Sequence, residues 1–523
     1  MKTEMSRSLA DLREGSFSPP YFIAYRLVSD LNFEASSSFG ALTEKDERRS
    51  STLYVEVRYG SRRLDNTNLS FEGISGPAQD DPLVLREDLW RMTDRGYKDA
   101  VAGYLAKKAE YVTRFNPDHL DDFSTETATD ADIPQPPPGF DKAAAVRLTM
   151  ELSAVFKRYP NVYDSQSWIE LDWARRRLLT SEGTEIAGPF QSDPDVLEIS
   201  ARTRAPDGMA LEQSRTWVAS SFPKFPPLKT LTAAAAELAR NLEAERAAPV
   251  QQPTTAPAIL DPEFTGVLFH EAIGHKLEGE RQRDPRQNQI FKDMVGRQVI
   301  PSFLSVIDDP TLAEDDGQVT HGFYRYDAEG VPAQRVVLVD RGILRNFLMS
   351  RWPVKGFPDS NGHGRANAAL RPIGRMSNLI IKAADPVPLP RLKKRLLALI
   401  RDSGRPYGFL LVGAFGGDNV NSISAAQTLE IRPKLVYRVS ARTGKATLVR
   451  GVAMVGTPLD VLNRIVAAGN DETLFNAYFC GAESGEVPVS QIAPSVLVSE
   501  IELQRLPENR RRPPILPSPL RNP

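Results

Sequence analysis

The sequence predicts an α+β fold of two domains, an N-terminal α/β domain with an antiparallel sheet and a C-terminal β-rich domain. The chain has 523 residues, which is more than one hydrophobic core normally serves. Several segments alternate apolar and polar residues between short turns that contain Gly or Pro, a pattern typical of antiparallel hairpins. A helix-forming segment followed by a proline-containing one separates the two halves. We therefore expect domains at 1–249 and 258–505 and a Pro/Arg-rich tail at 506–523.

Five segments have the apolar spacing or the composition of helices. They are 85–112, 141–158, 231–248, 390–402 and 458–468. The last two carry a proline in the first turn and end just before a glycine, as helices commonly do.

Strands are predicted on both sides of the domain boundary. Residues 51–60 alternate as in a half-buried strand, and two hairpins turn at Ser-Glu-Gly (181–183) and Pro-Asp-Gly (206–208). The four prolines of 130–140 predict a surface linker, and 249–257 is predicted as neither helix nor central strand. The second half becomes strand-rich, with turns at 327–332, 340–342 and 441–445.

Charge and composition disfavour several classes of partner. Lys and Arg number 65 and Asp and Glu 67, so the net charge of −2 provides no basic field for nucleic acid or an anionic membrane. The N-terminus lacks the apolar core of a signal peptide, and no run approaches the roughly 18 apolar residues of a membrane helix. We expect a soluble, cytoplasmic protein, unless a signal has been trimmed, and no intrachain disulfide because Cys480 is the only cysteine.

The segment "LFHEAIGHKLEGE" (268–280) places His270, Glu271 and His275 close together. Neutral imidazoles bind zinc, and a nearby carboxylate can take a proton from the zinc-activated water. The histidines are five residues apart rather than the four of the His-Glu-x-x-His motif, which puts them about 140° apart on a regular helix. A π-bulge would bring them together, and Gly274 would ease that distortion through its conformational freedom. Alternatively, each is an ordinary buried or surface histidine.

A catalytic zinc normally takes three protein ligands, so the two histidines need a third. Cys480 lies in "AYFCGAESGEVPVS", beyond a predicted helix and beside Gly481, where a loop could carry its thiolate to the metal. A free cysteine is also commonly a small buried hydrophobic residue, and the residues alone leave both interpretations open.

The motif "HEAIGHKLEGE" resembles the signature of the TldD/PmbA family of zinc metallopeptidases, and the resemblance extends over nearly all of 258–505. Further blocks are similar in the same order: "VIDDPTL", "YDAEGVPAQRVVLVDRGILRNFL", "NGHGRAN", "RMSNLII", "GAFGGDNVN" and "FCGAESGEVPVS". The resemblance implies a β-rich metallopeptidase domain with one Zn²⁺ per chain, held by His270, His275 and Cys480, and Glu271 as catalytic base. Two positions depart from the family pattern. Glu280 stands where Asp is usual, and His363 lies in a loop where we expect it to be solvated and outside the site.

The resemblance also implies a function and partners. We expect hydrolysis of peptide bonds in small or unfolded peptides. Independently of the resemblance, the strand-rich second half favours docking of an extended peptide at a sheet edge. Family members form dimers, so we expect a homodimer or a heterodimer with a related subunit lacking the metal motif. Because the charge balance provides no basic field, we do not expect DNA binding. Two alternatives are a non-catalytic peptide-binding or assembly subunit and a zinc hydrolase acting on a non-peptide amide.

Overall fold

The computed structural model describes residues 1–67, 73–79, 81–113, 120–136, 138–283, 289–419, 429–506 and 516. The predicted tail therefore lies almost entirely outside the described residues. The fold is α+β, as predicted, with one eight-stranded sheet in the N-terminal half and sheets of seven and six strands in the C-terminal half. Within the described part of the chain, no helix is both long and apolar enough to cross a membrane.

The N-terminal half is built on one eight-stranded sheet. Its strands run in the order β10-β9-β7-β1-β2-β5, with β8 on β7 and β6 on β8, and all of these pairs except β6–β8 are antiparallel. Helices α3 and α4 pack on it over Phe33, Leu171 and Ile199. The elements are α1 (Lys2–Asp11), β1 (Phe22–Ser38), β2 (Ala41–Arg58), β3 (Gly60–Ser61), β4 (Leu64–Asp65), β5 (Ile74–Pro77), α2 (Pro82–Thr113), β6 (Asp130–Asp132), α3 (Lys142–Ala154), β7 (Asp164–Thr180), β8 (Glu185–Gly188), β9 (Asp195–Arg204), β10 (Ala210–Ala219) and α4 (Leu228–Ala247).

The C-terminal half contains a seven-stranded and a six-stranded sheet, together with short hairpins. Its elements are β11 (Thr254–Leu260), α5 (Pro262–Phe269), α6 (Gly279–Arg283), β12 (Leu304–Asp308), β13 (Glu314–Asp315), β14 (Gln318–Val319), β15 (Val336–Asp340), β16 (Ile343–Leu344), β17 (Gly364–Arg365), β18 (Ile373–Gly374), β19 (Asn378–Ala383), α7 (Leu389–Asp402), β20 (Tyr407–Asn419), β21 (Leu429–Ser440), β22 (Ala446–Val449), β23 (Val452–Gly456), α8 (Pro458–Asn463), β24 (Ile465–Ala468), β25 (Thr473–Ala482), β26 (Gly485–Ala493) and β27 (Val496–Arg505).

The two C-terminal sheets share one core with α5. The first runs β11-β20-β21-β23-β27-β24, and because β11 also pairs with β27, five of its strands close into a ring. The second runs β16-β15-β12-β19-β26-β25 and leaves β25 at its edge. Helix α5 contacts β20 of the ring and both β25 and β26 of the second sheet, so its C-terminal end is held by strands from both.

The structure confirms most of the predicted elements and corrects four. Residues 254–257 belong to β11, a central strand, because Pro257 sits at a bulge in the pairing with β27 where its missing N–H breaks no ladder bond. The predicted helix 458–468 ends at Asn463, and Ile465–Ala468 pairs with β27 instead. Asp130–Asp132, predicted as linker, pairs with β8. Cys480 lies in strand β25 rather than in a loop beyond a helix. The domain boundary near 249–258 stays a prediction, and that stretch begins after α4 and ends inside β11.

Candidate metal centre

Helix α5 delivers the histidine motif to the interior of the C-terminal half. Asp261 caps its N-terminus, with one carboxylate oxygen accepting from the Phe264 N–H at 2.8 Å and the other from the Gly413 N–H of β20 at 2.9 Å. Pro262 follows at the first helical position. Because residues 264–269 are all buried, the helix runs inside the core, and its C-terminal residues reach the protein interior.

The helix then widens, as the spacing of the histidines predicted. His270–Gly274 form a π-helical turn and His275–Leu277 a following 3-10 turn. The imidazole rings of His270 and His275 consequently lie 4.8 Å apart between centroids, with their planes at 89°. The extra residue of the i, i+5 spacing is absorbed by the π turn, and both rings face the same point.

Gly274 serves this turn for a different reason from the one expected. Its backbone is right-handed helical, with φ −55° and ψ −61°, so no unusual angle requires glycine. A Cβ at this position would lie 2.0 Å from the Sδ of Met376. Glycine is needed because the π turn packs directly against that side chain.

Strand β25 brings Cys480 to the two histidines. Its Sγ lies 3.3 Å from Nε2 of His275, and one ligand atom from each of the three residues lies within 4.8 Å of the others. All three are buried, with exposed fractions of 7% for His270, 6% for His275 and 3% for Cys480. A tetrahedral zinc requires donor separations of about 3.3 to 3.6 Å, given bonds of about 2.0 Å to nitrogen and 2.3 Å to sulfur. The donor set and its spacing therefore fit zinc after only a small movement.

A buried carboxylate orients His275. Glu278, fully buried, accepts from Nδ1 of His275 at 2.8 Å and from Nε of Arg281 at 2.7 Å. Burial alone would raise the pKa of Glu278, but Arg281 and His275 lower it to about 2. A permanently ionised carboxylate on Nδ1 directs the other ring nitrogen, Nε2, towards Cys480, as partners of metal-bound histidines do.

An amide orients His270. Nδ1 of His270 lies 3.0 Å from the amide nitrogen of Gln491 in β26, and the amide oxygen of Gln491 is buried without a hydrogen-bond partner among the described residues. Because the two ends of an amide are nearly isosteric, rotating it by 180° lets the orphaned oxygen accept from an Nδ1–H. In that arrangement Nδ1 of His270 is held by Gln491, and Nε2 is available to a metal.

The electrostatics of the cluster favour the thiolate. Burial would raise the pKa of Cys480, yet His275 and His270 hold the pKa of its thiol well below the ordinary value. The pKa of His275 is in turn raised by Cys480 and Glu278, against the lowering effect of burial. The cysteine is thus held in the anionic form that binds metals and acts as a nucleophile.

Glu271 lies beside these ligands at the surface of a cleft of about 810 Å³. Strand β20 passes so close to it that a Cβ on Gly417 would lie 2.6 Å from Cγ of Glu271. The cleft is walled by the edge strand β10, by residues 414–417 of β20 and by the edge strand β25. All four residues predicted for the site line this cleft: His270, Glu271, His275 and Cys480.

The two positions that depart from the family pattern lie in the core. Glu280 accepts from the hydroxyl of Ser350 and, at 2.8 Å, from the N–H of Gly374. His363 is fully buried, with Nε2 3.1 Å from Oδ1 of Asp308. The expectation that solvent surrounds His363 was wrong, and it does not line the cleft.

Sequence reasoning missed the residues that hold the ligands. Glu278 follows His275 by three residues, and that helical spacing was a usable signal. Gln491 and Arg375, which donates to Cys480, are distant from the motif in sequence. Their roles depend on strand pairing that a single sequence does not specify.

Comparisons with known proteins agree with this architecture. Residues 253–505 match the family model of the PmbA/TldA metallopeptidase C-terminal domain. A metalloprotease of Methanocaldococcus jannaschii is 33% identical over 234 residues, which cover 44% of this chain and 47% of that protein. A zinc metalloprotease TldD homolog of Saccharolobus solfataricus is 27% identical over 250 residues, covering 47% and 51%. The chain thus spans about half the length of these relatives.

The fold has a solved counterpart over most of its length. TldE from Thermococcus kodakarensis superimposes with a TM-score of 0.62 over 92% of this chain and 97% of that one, at 13% sequence identity. This likeness shows a shared fold. The match over 253–505, together with curated relatives that include TldD homologs, supports a protein of the PmbA/TldD family.

Proposed function

We propose that this protein is a zinc-dependent peptidase in which His270, His275 and Cys480 hold the metal and Glu271 is the general base. The observation that supports it most directly is the convergence of the three donor atoms within 4.8 Å of one another. They line a cleft with a carboxylate beside them, whereas a structural zinc site is normally closed by a fourth protein ligand.

The chemistry is divided between the metal and the chain. A zinc ion bound at this site supplies a Lewis acid for the peptide carbonyl and lowers the pKa of water. The Glu271 carboxylate accepts a proton from the attacking water and returns it to the nitrogen of the leaving amine. Glu278 and Gln491 fix the two imidazoles, so the ligands need little reorganisation.

The walls of the cleft support an extended peptide as substrate. Strands β10 and β25 are both sheet edges, and an extended chain can pair with such an edge through backbone hydrogen bonds. A second cleft of about 710 Å³ shares five lining residues with the first. These are Ser214, Thr216, Lys434, Phe475 and Asn476. The groove they form together has room for several residues of an unfolded peptide but not for a folded domain.

The proposal also includes association with a partner subunit. The likeness to TldE supports association with a second copy or with a related subunit that lacks the metal motif. Sedimentation of the purified chain, alone and with such a subunit, tests this independently of catalysis.

The first experiment measures zinc per chain by elemental analysis. We expect about one zinc in the wild type and a large loss in Cys480→Ala. His363→Gln, which alters a buried histidine outside the cleft, serves as control and should retain the metal. Wild-type protein that stays metal-free after zinc is supplied and the excess removed would contradict the peptidase proposal.

The second experiment separates the peptidase from its alternatives. Glu271→Gln should keep zinc, and its turnover of peptides should fall by about 10²- to 10⁴-fold, the range typical of a general base. Glu245→Gln, a buried carboxylate outside the cleft, is the control. Unchanged activity in Glu271→Gln would favour a non-catalytic subunit, and cleavage of N-acyl amino acids but not peptides would favour an amide hydrolase.

A further inference from the structure

Arg375 is a fully buried arginine directly behind the metal centre. It follows β18, and its backbone N–H donates to the carbonyl of His363 at 3.0 Å. It does not line the cleft, so it is out of reach of a substrate lying there. A buried guanidinium is costly unless its charge and its donors are satisfied, which raises the question of what it is bound to.

The guanidinium contacts both Cys480 and the Glu278–His275 pair of the candidate metal centre. One terminal nitrogen (Nη2) lies 3.2 Å from Sγ of Cys480 and donates to the carbonyl of the same residue at 2.6 Å. The other (Nη1) donates to Oγ of Ser484 at 2.8 Å and to the carbonyl of Gly485 at 2.9 Å. Nε makes no hydrogen bond among the described residues but lies at an ion-pair distance, 3.3 Å, from Oε1 of Glu278, the oxygen that accepts from His275.

This arrangement has two physical consequences for the thiolate. The planar fork of the guanidinium fixes the Cys480 backbone and the 484–485 turn together, so the direction of the Cys480 side chain is set by one rigid group. An N–H directed at a ligating sulfur also withdraws charge from it, and hydrogen bonds around such a sulfur tune its metal. Less charge donated by the thiolate leaves a bound zinc a stronger Lewis acid.

We propose that Arg375 is a positioning residue of the metal centre, which fixes the thiolate of Cys480 and the Glu278–His275 pair and limits the charge that the thiolate donates. The inference rests on the proposed function in that it takes His270, His275 and Cys480 to bind zinc. It adds a residue that touches neither the metal nor the substrate and acts through two ligands at once.

A nearby arginine provides a matched control. Arg365 is 5% exposed, donates to the carbonyls of Met376 and, at 2.8 Å, of Pro488, and lies 5.0 Å from the ring centroid of Tyr324. It is thus a buried arginine of the same region that supports backbone. A change to lysine there keeps the charge near Cys480 and reports the cost of losing a buried guanidinium that donates to neither Cys480 nor Glu278.

The test measures zinc affinity and the spectrum of the cobalt-substituted protein for wild type, Arg375→Lys and Arg365→Lys. Lysine keeps the charge but cannot form the fork. We expect Arg375→Lys to weaken the zinc Kd about 10- to 100-fold, the usual effect of losing such a partner. Its thiolate-to-cobalt charge-transfer band should move to longer wavelength because the sulfur is less stabilised. Arg365→Lys should leave both unchanged.

If Arg375→Lys fails to fold, Ser484→Ala carries the test. This variant removes one anchor of the guanidinium and leaves the arginine and the ligands in place, so it should shift the Kd and the band in the same directions by less. The inference would be overturned if a folded Arg375→Lys, or Ser484→Ala used in its place, had the zinc Kd and the charge-transfer band of the wild type. Wild-type protein that binds neither zinc nor cobalt would instead overturn the proposed function, which separates the two failures.

Discussion

At the residue scale, the position of the Glu271 carboxylate depends on a glycine of β20 that packs directly against it. Gly417 of β20 approaches so closely that a Cβ would lie 2.6 Å from Cγ and 3.3 Å from Cδ of Glu271. Real Cβ atoms essentially never lie at the shorter distance, so any larger residue at 417 must displace the glutamate or the strand.

Gly417→Ala should therefore impair catalysis without removing the metal. The methyl group displaces Glu271, and a misplacement of about 1 Å can cost about 10² in rate, while the three ligands keep their positions. We expect kcat for peptide cleavage to fall by about that factor and zinc per chain to stay at the wild-type value.

Gly481→Ala is the matched control for that prediction. Gly481 is adjacent to Cys480 in sequence, and a Cβ there meets no atom within 4 Å. It should retain zinc, and because Gly481 also lines the cleft, any loss of activity reports an added methyl group there without displacement of Glu271. Equal activity in Gly417→Ala and Gly481→Ala would show that the close approach of β20 does not position Glu271.

The sequence predicted those residues of the candidate site that lie close together in the chain or belong to a motif. His270, Glu271 and His275 follow from their spacing, and Cys480 from the resemblance. Gln491 and Arg375 could not be predicted because they reach the ligands through the pairing of β25 with β26 and through the segment after β18. Such contacts arise only when distant segments pack.

At the element scale, the π turn is the feature on which the histidine pair depends. The i, i+5 spacing predicted it, since two ligands of one metal cannot point about 140° apart. The requirement for glycine at 274 was not predictable, because it comes from the close approach of Met376, which lies after β18. The helix–strand error at 465–468 has a similar origin, since pairing with β27 overrode local helical propensity there.

Gly274→Ala should disturb the turn and with it the metal site. A Cβ 2.0 Å from Sδ of Met376 requires either the buried Met376 side chain or the π turn that carries His275 to shift. We expect overpacking to lower the free energy of unfolding by about 1 to 3 kcal/mol and the zinc affinity to fall, as measured by urea unfolding and metal competition.

Met376→Ala supplies the compensating change. It removes the clashing sulfur, at its own cost of about 2 to 5 kcal/mol for a buried methionine, and leaves room for the new methyl group. In this background Gly274→Ala should cost less than in the wild type, with a coupling energy of about 0.5 to 3 kcal/mol. Additive costs would mean that the contact with Met376 does not explain Gly274.

At the scale of the whole molecule, the cleft exists because the N-terminal sheet is fixed to the C-terminal half. Gln213 of β10 donates one amide nitrogen to Glu245 of α4 at 2.9 Å and to the carbonyl of Lys434 of β21 at 2.8 Å. Arg450 adds a contact from its Nε to the carbonyl of Ala248 at 2.9 Å. The α+β class and the order of most elements were predictable from local pattern, whereas this docking of an edge strand beside the metal centre was not.

The buried carboxyl in that contact links stability to pH. Burial raises the pKa of Glu245 to about 8, although the hydrogen bond from Gln213 opposes the shift. In the folded protein the Glu245 carboxyl therefore keeps a proton that it releases in the unfolded chain above the ordinary glutamate pKa of about 4.3. Since stability falls with pH wherever the folded state binds more protons, this contribution is complete below about pH 4 and is lost as the pH rises towards 8.

Glu245→Gln should remove that dependence, because glutamine resembles the protonated acid. From urea unfolding at pH 5, 6, 7 and 8, we expect the free energy of unfolding of the wild type to fall relative to Glu245→Gln by up to about 1.4 kcal/mol per pH unit, the limit for one proton. Glu237→Gln, on the exposed side of the same helix, should follow the wild type. Parallel pH profiles for wild type and Glu245→Gln would contradict a protonated Glu245. They would also mean that the contact between the two halves tolerates an ionised carboxylate, so that the cleft wall formed by β10 would stay docked at alkaline pH.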